Sequence, residues 1–285
     1  MTVIIRKCGP SDVPAAADIC YRAFKILAES HGFAPDIPNP QMANAVLSMM
    51  TDHRHFYSLV AEREHKVVGS NFLDERNPIS GIGPITVDPD TQNDGVGGAL
   101  MAAVMRRSSE RGFAGVRLVQ AGYHTRSLAL YSKLGFNVRE QLACFQGKPI
   151  GKGMAGVAVR AASSADMAAC NQLCMRVHGH DRGGELTDAI THGSARVVER
   201  SGRISGYATS IAFFGHAVAD TNDDLMALIS TAESFGGPGF LLPTRNGEVM
   251  RWCIGHGLRI TQTMTLMTIG LYNDPQGAWL PSVTY

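Results

Sequence analysis

No block of like charge interrupts this 285-residue chain, and its formal net charge is only +1. A basic nucleic-acid-binding surface and an acidic tail are both excluded on that ground. No apolar run approaches the roughly 20 residues of a membrane-spanning helix, and the opening Met1–Asp12 segment lacks the apolar core of a secretory leader. A membrane partner is therefore not expected, and a cytoplasmic location is. No two of the six cysteines (Cys8, Cys20, Cys144, Cys170, Cys174 and Cys253) form a CxxC pair. Scattered thiols in a large chain read as reduced and buried rather than bridged. Cys170, Cys174 and His178 share one face of a predicted helix, where small apolar cysteines on the core side are the expected reading and no metal is.

What is present is an ordinary globular balance, 45% hydrophobic and 18% charged, in a chain long enough for two packed cores. The halves repeat an order of elements at a spacing of about 150 residues, which means duplicated domains rather than a solenoid. Each opens with a short β-rich run and a helix: the first carries Arg6, Ser11 and Asp12, the second Arg160, Ser164 and Asp166. Ser11 is the expected N-cap of the first of these helices. Hairpins follow, turning near Glu64–Lys66 and at Ser201–Gly202. Late in each half a helix ends at a glycine, Gly135 or Gly257, suited to the left-handed closing position. The glycine-rich stretch 145–156 is the expected linker. The reading is an α/β chain (α+β, mixed sheet, helices on both faces) divided into domains at 1–146 and 156–285.

Residues 85–113 are the most informative. A strand ends near Ile85–Val87, Pro89 stops it, and Gly95, Val96, Gly97 and Gly98 open a helix with Leu100, Val104 and Met105 at helical spacing. A glycine-rich turn into a helix N-terminus is an anion site by geometry, because unpaired N–H groups point outward and no Cβ blocks approach. The spacing is neither that of dinucleotide-binding folds nor that of a P-loop.

The pattern Val87-x-Pro89-x-x-Gln92-x-x-Gly95-x-Gly97-x-x-Leu100 resembles motif A of the GCN5-related N-acetyltransferase (GNAT) superfamily. His124 through Phe136, with Leu130-Tyr131-Ser132-Lys133-Leu134-Gly135-Phe136 at its end, resembles motif B. His124 stands where that motif usually has asparagine, and Val119 where some members carry a glutamate base. The resemblance implies two tandem acyl-CoA N-acyltransferase domains and acetyl-CoA as cosubstrate. Its contacts would be Ile85, Thr86, Val87, Gln92, Asn93, Asp94, Gly95, Val96, Gly97, Gly98 and His124. It implies splayed strands at Gly83–Val87 and Val116–Gln120, with Tyr131 donating a proton to the departing thiolate. Asp74 and Glu75 are the candidate bases for the acceptor, and Arg106 and Arg107 candidates for the 3′-phosphate. The acceptor is an amine of a small molecule or a protein, covered by the proline-rich loop 31–41, whose Asn39 and Pro40 suit a helix start. An acyl-CoA-binding sensor without catalysis and a transferase of larger acyl groups are the alternative readings.

The second half lacks these features. Residues 216–233 fall where motif A belongs but contain no glycine and carry Asp220, Asp223 and Asp224; Cys253 falls where Tyr131 does. That domain is expected to bind no acetyl-CoA and to complete the fold, form a homodimer surface or wall the acceptor cleft.

Overall fold

The computed structural model describes residues 3–92, 94–154 and 156–284. The first half runs β1 (Ile4–Lys7), α1 (Val13–Ser30), α2 (Pro40–Asp52), β2 (Phe56–Arg63), β3 (Lys66–Asp74), β4 (Ile79–Ile82), β5 (Thr86–Val87), α3 (Val96–Arg111), β6 (Gly115–Ala121), α4 (Thr125–Lys133) and β7 (Asn137–Gln146). The second runs β8 (Ala158–Ala161), α5 (Met167–His178), α6 (Gly183–Thr191), β9 (Arg196–Arg200), β10 (Arg203–Ala208), β11 (Ala217–Ala219), α7 (Asn222–Ser230), β12 (Phe240–Pro243), α8 (Gly247–Gly255), β13 (Arg259–Gly270) and β14 (Ala278–Leu280). No helix among the described residues is long and apolar enough to cross a membrane.

The duplication is visible in side-chain chemistry. Asp12 accepts from the Gly9 N–H at 2.8 Å and is gripped by both terminal nitrogens of Arg6, which also reaches Glu62. Asp166, Arg160, Ser163 and Glu199 repeat that constellation. The helix entry is thus held by an aspartate facing back to a strand arginine, and Ser11 caps nothing; it lies inside a short 3-10 turn, Pro10–Asp12. Asn39 does cap α2, accepting from the Met42 N–H at 2.8 Å. The hairpin turns fall at Glu64 and His65, and at Ser201 and Gly202, all at positive φ.

Nine strands form one mixed sheet in the order β1-β2-β3-β4-β6-β13-β7-β12, with β5 continuing along β3. Helices α1 and α2 bury Ala16, Cys20, Leu47 and Met50 on one face. Helices α3 and α4 bury Leu100, Met101, Val104 and Tyr131 on the other. The two halves are not closed units: β13, from the second half, lies between β6 and β7 of the first, and β7 lies between β13 and β12. The offset that carries Gly135 onto Gly257 carries β6 onto β12 and β7 onto β13, so the order β6-β13-β7-β12 reads the same when the halves are exchanged. Leu142 pairs with Met264, its own equivalent, and Gln141–Thr265 and Ala143–Thr263 flank it as mirror pairs. The halves have exchanged their last long strands about a local two-fold.

The second sheet, β14-β11-β10-β9-β8, departs from the symmetry in one place. In the first half β4 pairs with β6 in parallel only at Ile79–Gly81 and then diverges from it. In the second half the equivalent strands β11 and β12 have β14 between them, paired to β11 through Ala217–Leu280, Val218–Trp279 and Ala219–Ala278 and packed on β12.

Candidate active site

The divergence of β4 and β6 builds the site. Strand β3 pairs with β4 at Leu73–Ile82 and with β5 at Ser70–Thr86, with one extra residue on the β4–β5 side. The bulge bends the edge away from β6, the usual consequence of an inserted residue. Gly83 donates back to the Phe72 carbonyl at 2.9 Å, and Pro84 has no N–H to give. Among the described residues no strand covers the β6-facing edge at residues 83–87, so its amides and carbonyls face a cavity of about 910 Å³. The cavity passes through the gap in the sheet. On the α3–α4 side it is lined by the glycine turn, Leu118, His124, Leu130 and Tyr131; on the α1–α2 side by Phe24, Leu27, Asp36, Met264, Phe213 and Phe214.

The turn into α3 matches the sequence reading. Gly95 holds φ +78° and ψ 0°, and its carbonyl accepts the first helical bond, from the Ala99 N–H at 3.0 Å. The amides of Val96, Gly97 and Gly98 precede that bond and belong to the open end of the helix. A Cβ on Gly98 would meet nothing within 4 Å, and one on Gly97 only Val87 Cγ2 at 3.7 Å and Leu130 Cδ2 at 3.9 Å. Protein packing therefore does not demand glycine at 97 and 98; the space they leave belongs to the cavity. Arg126 donates to Gln92 Oε1 at 2.9 Å and, with Lys133, lines the same end, adding positive charge to the helix dipole.

Ile85, Thr86, Val87, Gln92, Gly95, Val96, Gly97, Gly98, His124 and Tyr131 all line the cavity. Asn93 lies outside the described residues. Tyr131 is buried and packs edge-on against Phe136, with burial pushing its hydroxyl up to about 12. His124 bonds Ser127 Oγ through Nδ1 at 2.8 Å; burial, then Arg126 and His31, lower its pKa, which keeps the ring neutral at pH 7.

Other expectations are corrected. Asp94 does not face the cavity but pairs with Arg63 at 2.7 Å. Asp74 ends β3 facing the second half, where Arg76 grips both its oxygens and also bonds Asp188 Oδ2 at 3.0 Å. Asn77 extends that contact, accepting from the Gly184 N–H at 3.1 Å. Glu75 is buried under Arg107, at 2.6 and 2.9 Å. Neither carboxylate reaches the cavity, so neither is placed to take a proton from an acceptor in it. Arg107 pairs with Glu75 and lies over the Tyr57 ring, and exposed Arg106 lies 3.9 Å from Glu110; neither lines the cavity, whereas Arg126 does. Cys170 and Cys174 are free and buried against Leu173, Val177 and Tyr207. Among the described residues no three His, Cys, Asp or Glu side chains converge as metal ligands would.

Asp36, Gln120 and five residues of the second half also contribute, beyond those the sequence pointed to. Asp36, in the loop between α1 and α2, is the single acidic residue lining the cavity among those described, and it accepts from Gln262 Nε2 at 2.5 Å. Gln120 lines the cavity, is 6% exposed, and has no hydrogen-bond partner at either end of its amide among the described residues. Phe213, Phe214, Met264, Val283 and Thr284 of the second half form part of the wall. Asp36 stands in the proline-rich loop read as an acceptor cover and Gln120 at the end of a strand read as splayed; Met264 arrives by strand exchange and the rest of the second-half wall by packing of distant segments, which local sequence does not carry.

The acetyltransferase (GNAT) family matches residues 21–136, from within α1 to the glycine that closes α4 and the residue after it. No curated protein matches the chain in sequence. Among solved structures, a proposed acetyltransferase from Pyrococcus horikoshii superposes with a TM-score of 0.73 at 17% identity, covering 97% of this chain and 94% of that one. A GCN5-related N-acetyltransferase from Sphaerobacter thermophilus gives 0.63 at 14%, with 95% and 96% covered. A tandem GNAT protein from the clavulanic acid biosynthesis pathway gives 0.59 at 11%, with 94% and 98% covered. These likenesses, at such identities, are likenesses of fold, and they extend over both halves. Residues 21–136 thus match the acetyltransferase (GNAT) family, and the chain has the fold of tandem GNAT proteins.

Proposed function

We propose that the first half is an acetyl-CoA-dependent N-acetyltransferase acting on an amine, and that the second half binds no acetyl-CoA. One observation carries the reading: a single cavity joins the glycine turn, the uncovered edge at 83–87, Tyr131 and a chamber beyond the sheet. Diphosphate oxygens fit the amides of 96–98, where the glycines leave room and the helix dipole is favourable. The pantetheine amides fit the uncovered edge, which supplies the pairing a neighbouring strand would otherwise give. The thioester then lies near Tyr131, and an N–H of the 85–87 segment stabilises the oxyanion as a neutral amine attacks. The Tyr131 hydroxyl hydrogen-bonds the departing thiolate.

The second half has lost each of these parts. Strand β14 fills its gap. Its helix α7 opens with Thr221 and with Asp223 and Asp224 instead of glycines, and Cys253, buried, replaces Tyr131. Carboxylates at that helix end favour the dipole but repel a diphosphate.

Calorimetry with acetyl-CoA tests the arrangement: one site per chain is expected, and none or two would refute it. Thiol release across a panel of amines tests catalysis, and binding without any amine-dependent release would identify a sensor instead.

A further inference from the structure

Among the described residues Asp36 is the one acidic side chain lining the acceptor chamber; Ser30, His31, Gln120, Tyr123 and Thr284 are other polar residues of the cavity wall. Asp36 is partly buried and is held by Gln262, whose own Oε1 has no partner among the described residues although the side chain is 6% exposed. Beside it Phe33 and Tyr123 stack at 4.4 Å, with His31 tilted onto Tyr123 at 5.1 Å. The opposite wall is Phe213, Phe214 and Met264. The cations that line the cavity, Arg126 and Lys133, stand at the phosphate end, on the other side of the sheet. A ligand entering the chamber therefore meets a largely apolar and aromatic wall and a fixed carboxylate with no cationic partner among the described residues.

Building on the proposed acetyl transfer, we infer that Asp36 receives the ammonium of the acceptor and that the acceptor is a primary amine on an apolar skeleton. A carboxylate in a low-dielectric wall attracts an ammonium strongly, and stacked rings favour an apolar or aromatic body. An α-amino acid would place its own carboxylate near Asp36 with no arginine or lysine on that side to meet it. The ammonium gives one proton to Asp36. The freed lone pair forms the C–N bond at the thioester carbonyl, and the tetrahedral intermediate collapses by breaking C–S. The amide nitrogen gives up its second proton, the thiolate takes one, and one proton is released overall. Gln262 acts through Asp36 and is a positioning residue. It comes from exchanged strand β13, so the half without a cofactor site completes the acceptor site.

Burial raises the Asp36 pKa above the usual carboxylate range, and the Gln262 bond opposes the rise. The groups facing it are Tyr123, pushed to about 12, and Cys144, pushed to about 11, both neutral in the working range, with His31 beyond Tyr123. Activity should thus fall as pH drops through an acid limb set by Asp36.

The test uses the full chain with acetyl-CoA, thiol release, and two panels: 2-phenylethylamine and hexylamine against alanine and lysine. Asp36→Asn keeps size and removes charge. It should lower kcat/KM for the apolar amines by about 100-fold and abolish the acid limb, while leaving acetyl-CoA affinity by calorimetry unchanged. Gln262→Leu should cost less, roughly tenfold, and move the acid limb upward, which a merely structural role would not do. The inference is overturned if Asp36→Asn works within threefold of wild type, if the amino acids are preferred, or if a chain that binds acetyl-CoA turns over neither panel. A wild-type chain that fails to bind acetyl-CoA sinks the transferase reading, and this inference falls with it.

Discussion

Replacing Tyr131 by phenylalanine separates two roles for its hydroxyl. The phenol is pushed to about 12 by burial, whereas a leaving thiol ionises near about 8.5. Complete proton transfer would run uphill by roughly 3.5 units, or about 5 kcal/mol, so it cannot be the favourable step. A hydrogen bond from a neutral phenol to a developing thiolate needs no such transfer and contributes about 1.5–3 kcal/mol. The expected loss in kcat for Tyr131→Phe is therefore roughly tenfold to a hundredfold, with acetyl-CoA affinity unchanged. Tyr131 packs with Phe136, and phenylalanine keeps that ring contact, so the change isolates the hydroxyl. Single-turnover measurement with an acetyl thioester of a more acidic aryl thiol completes the assay, because a better leaving group should shrink the loss. A wild-type rate would remove Tyr131 from the chemistry. A loss independent of the leaving group would show that the hydroxyl acts elsewhere than on the sulfur.

Gly97→Trp should reduce acetyl-CoA affinity at least 100-fold by calorimetry without unfolding the chain, since no protein atom lies within 3.4 Å of the added Cβ; retained binding would refute the diphosphate site. Glu75→Gln should lower stability in urea by about 1–2 kcal/mol through Arg107, discounted because that arginine is one-third exposed, and should leave kcat within twofold; a 100-fold loss of kcat at normal stability would restore Glu75 as a base. Residues 1–146 expressed alone should form dimers or aggregate, visible by light scattering, because β6 and β7 lose the strand that pairs with both; a stable, soluble monomer would show that the exchange is dispensable.

The parts legible in the sequence were those fixed by neighbouring residues. Gly95 takes the left-handed conformation that its turn requires, Gly135 and Gly257 close their helices, and the motif B helix carries Tyr131 into the cavity. Parts fixed by distant residues were not legible. Asp74 and Glu75 stand at the end of a strand near the site, but whether a carboxylate faces a cavity or a neighbour's arginine depends on docking at α6 and α3. Asp36 sits in an irregular loop, and its partner Gln262 lies 226 positions away. Strand exchange is invisible for a physical reason: β7 and β13 are equivalents, so the same alternation of side chains suits either place in the sheet.

That equivalence also bears on the second half, which is proposed to bind no cofactor. A GNAT gap leaves main-chain groups without a neighbour, which is tolerable where a ligand supplies the missing partners and costly where none does. In the first half the edge at 83–87 stays open, facing the cavity. In the second half β14 takes that place, so β11 is fully paired and the gap is closed with the chain's own residues. On the proposed reading, closing it ends binding there, and other surfaces of the second half line the first half's cavity. Strand β13 contributes Gln262 and Met264, and the turn before β11 contributes Phe213 and Phe214. On that reading, loss of one site and elaboration of the other are two sides of one change. Selection on the second half should be felt at the residues facing the first half's chamber, not at the remnant of its own.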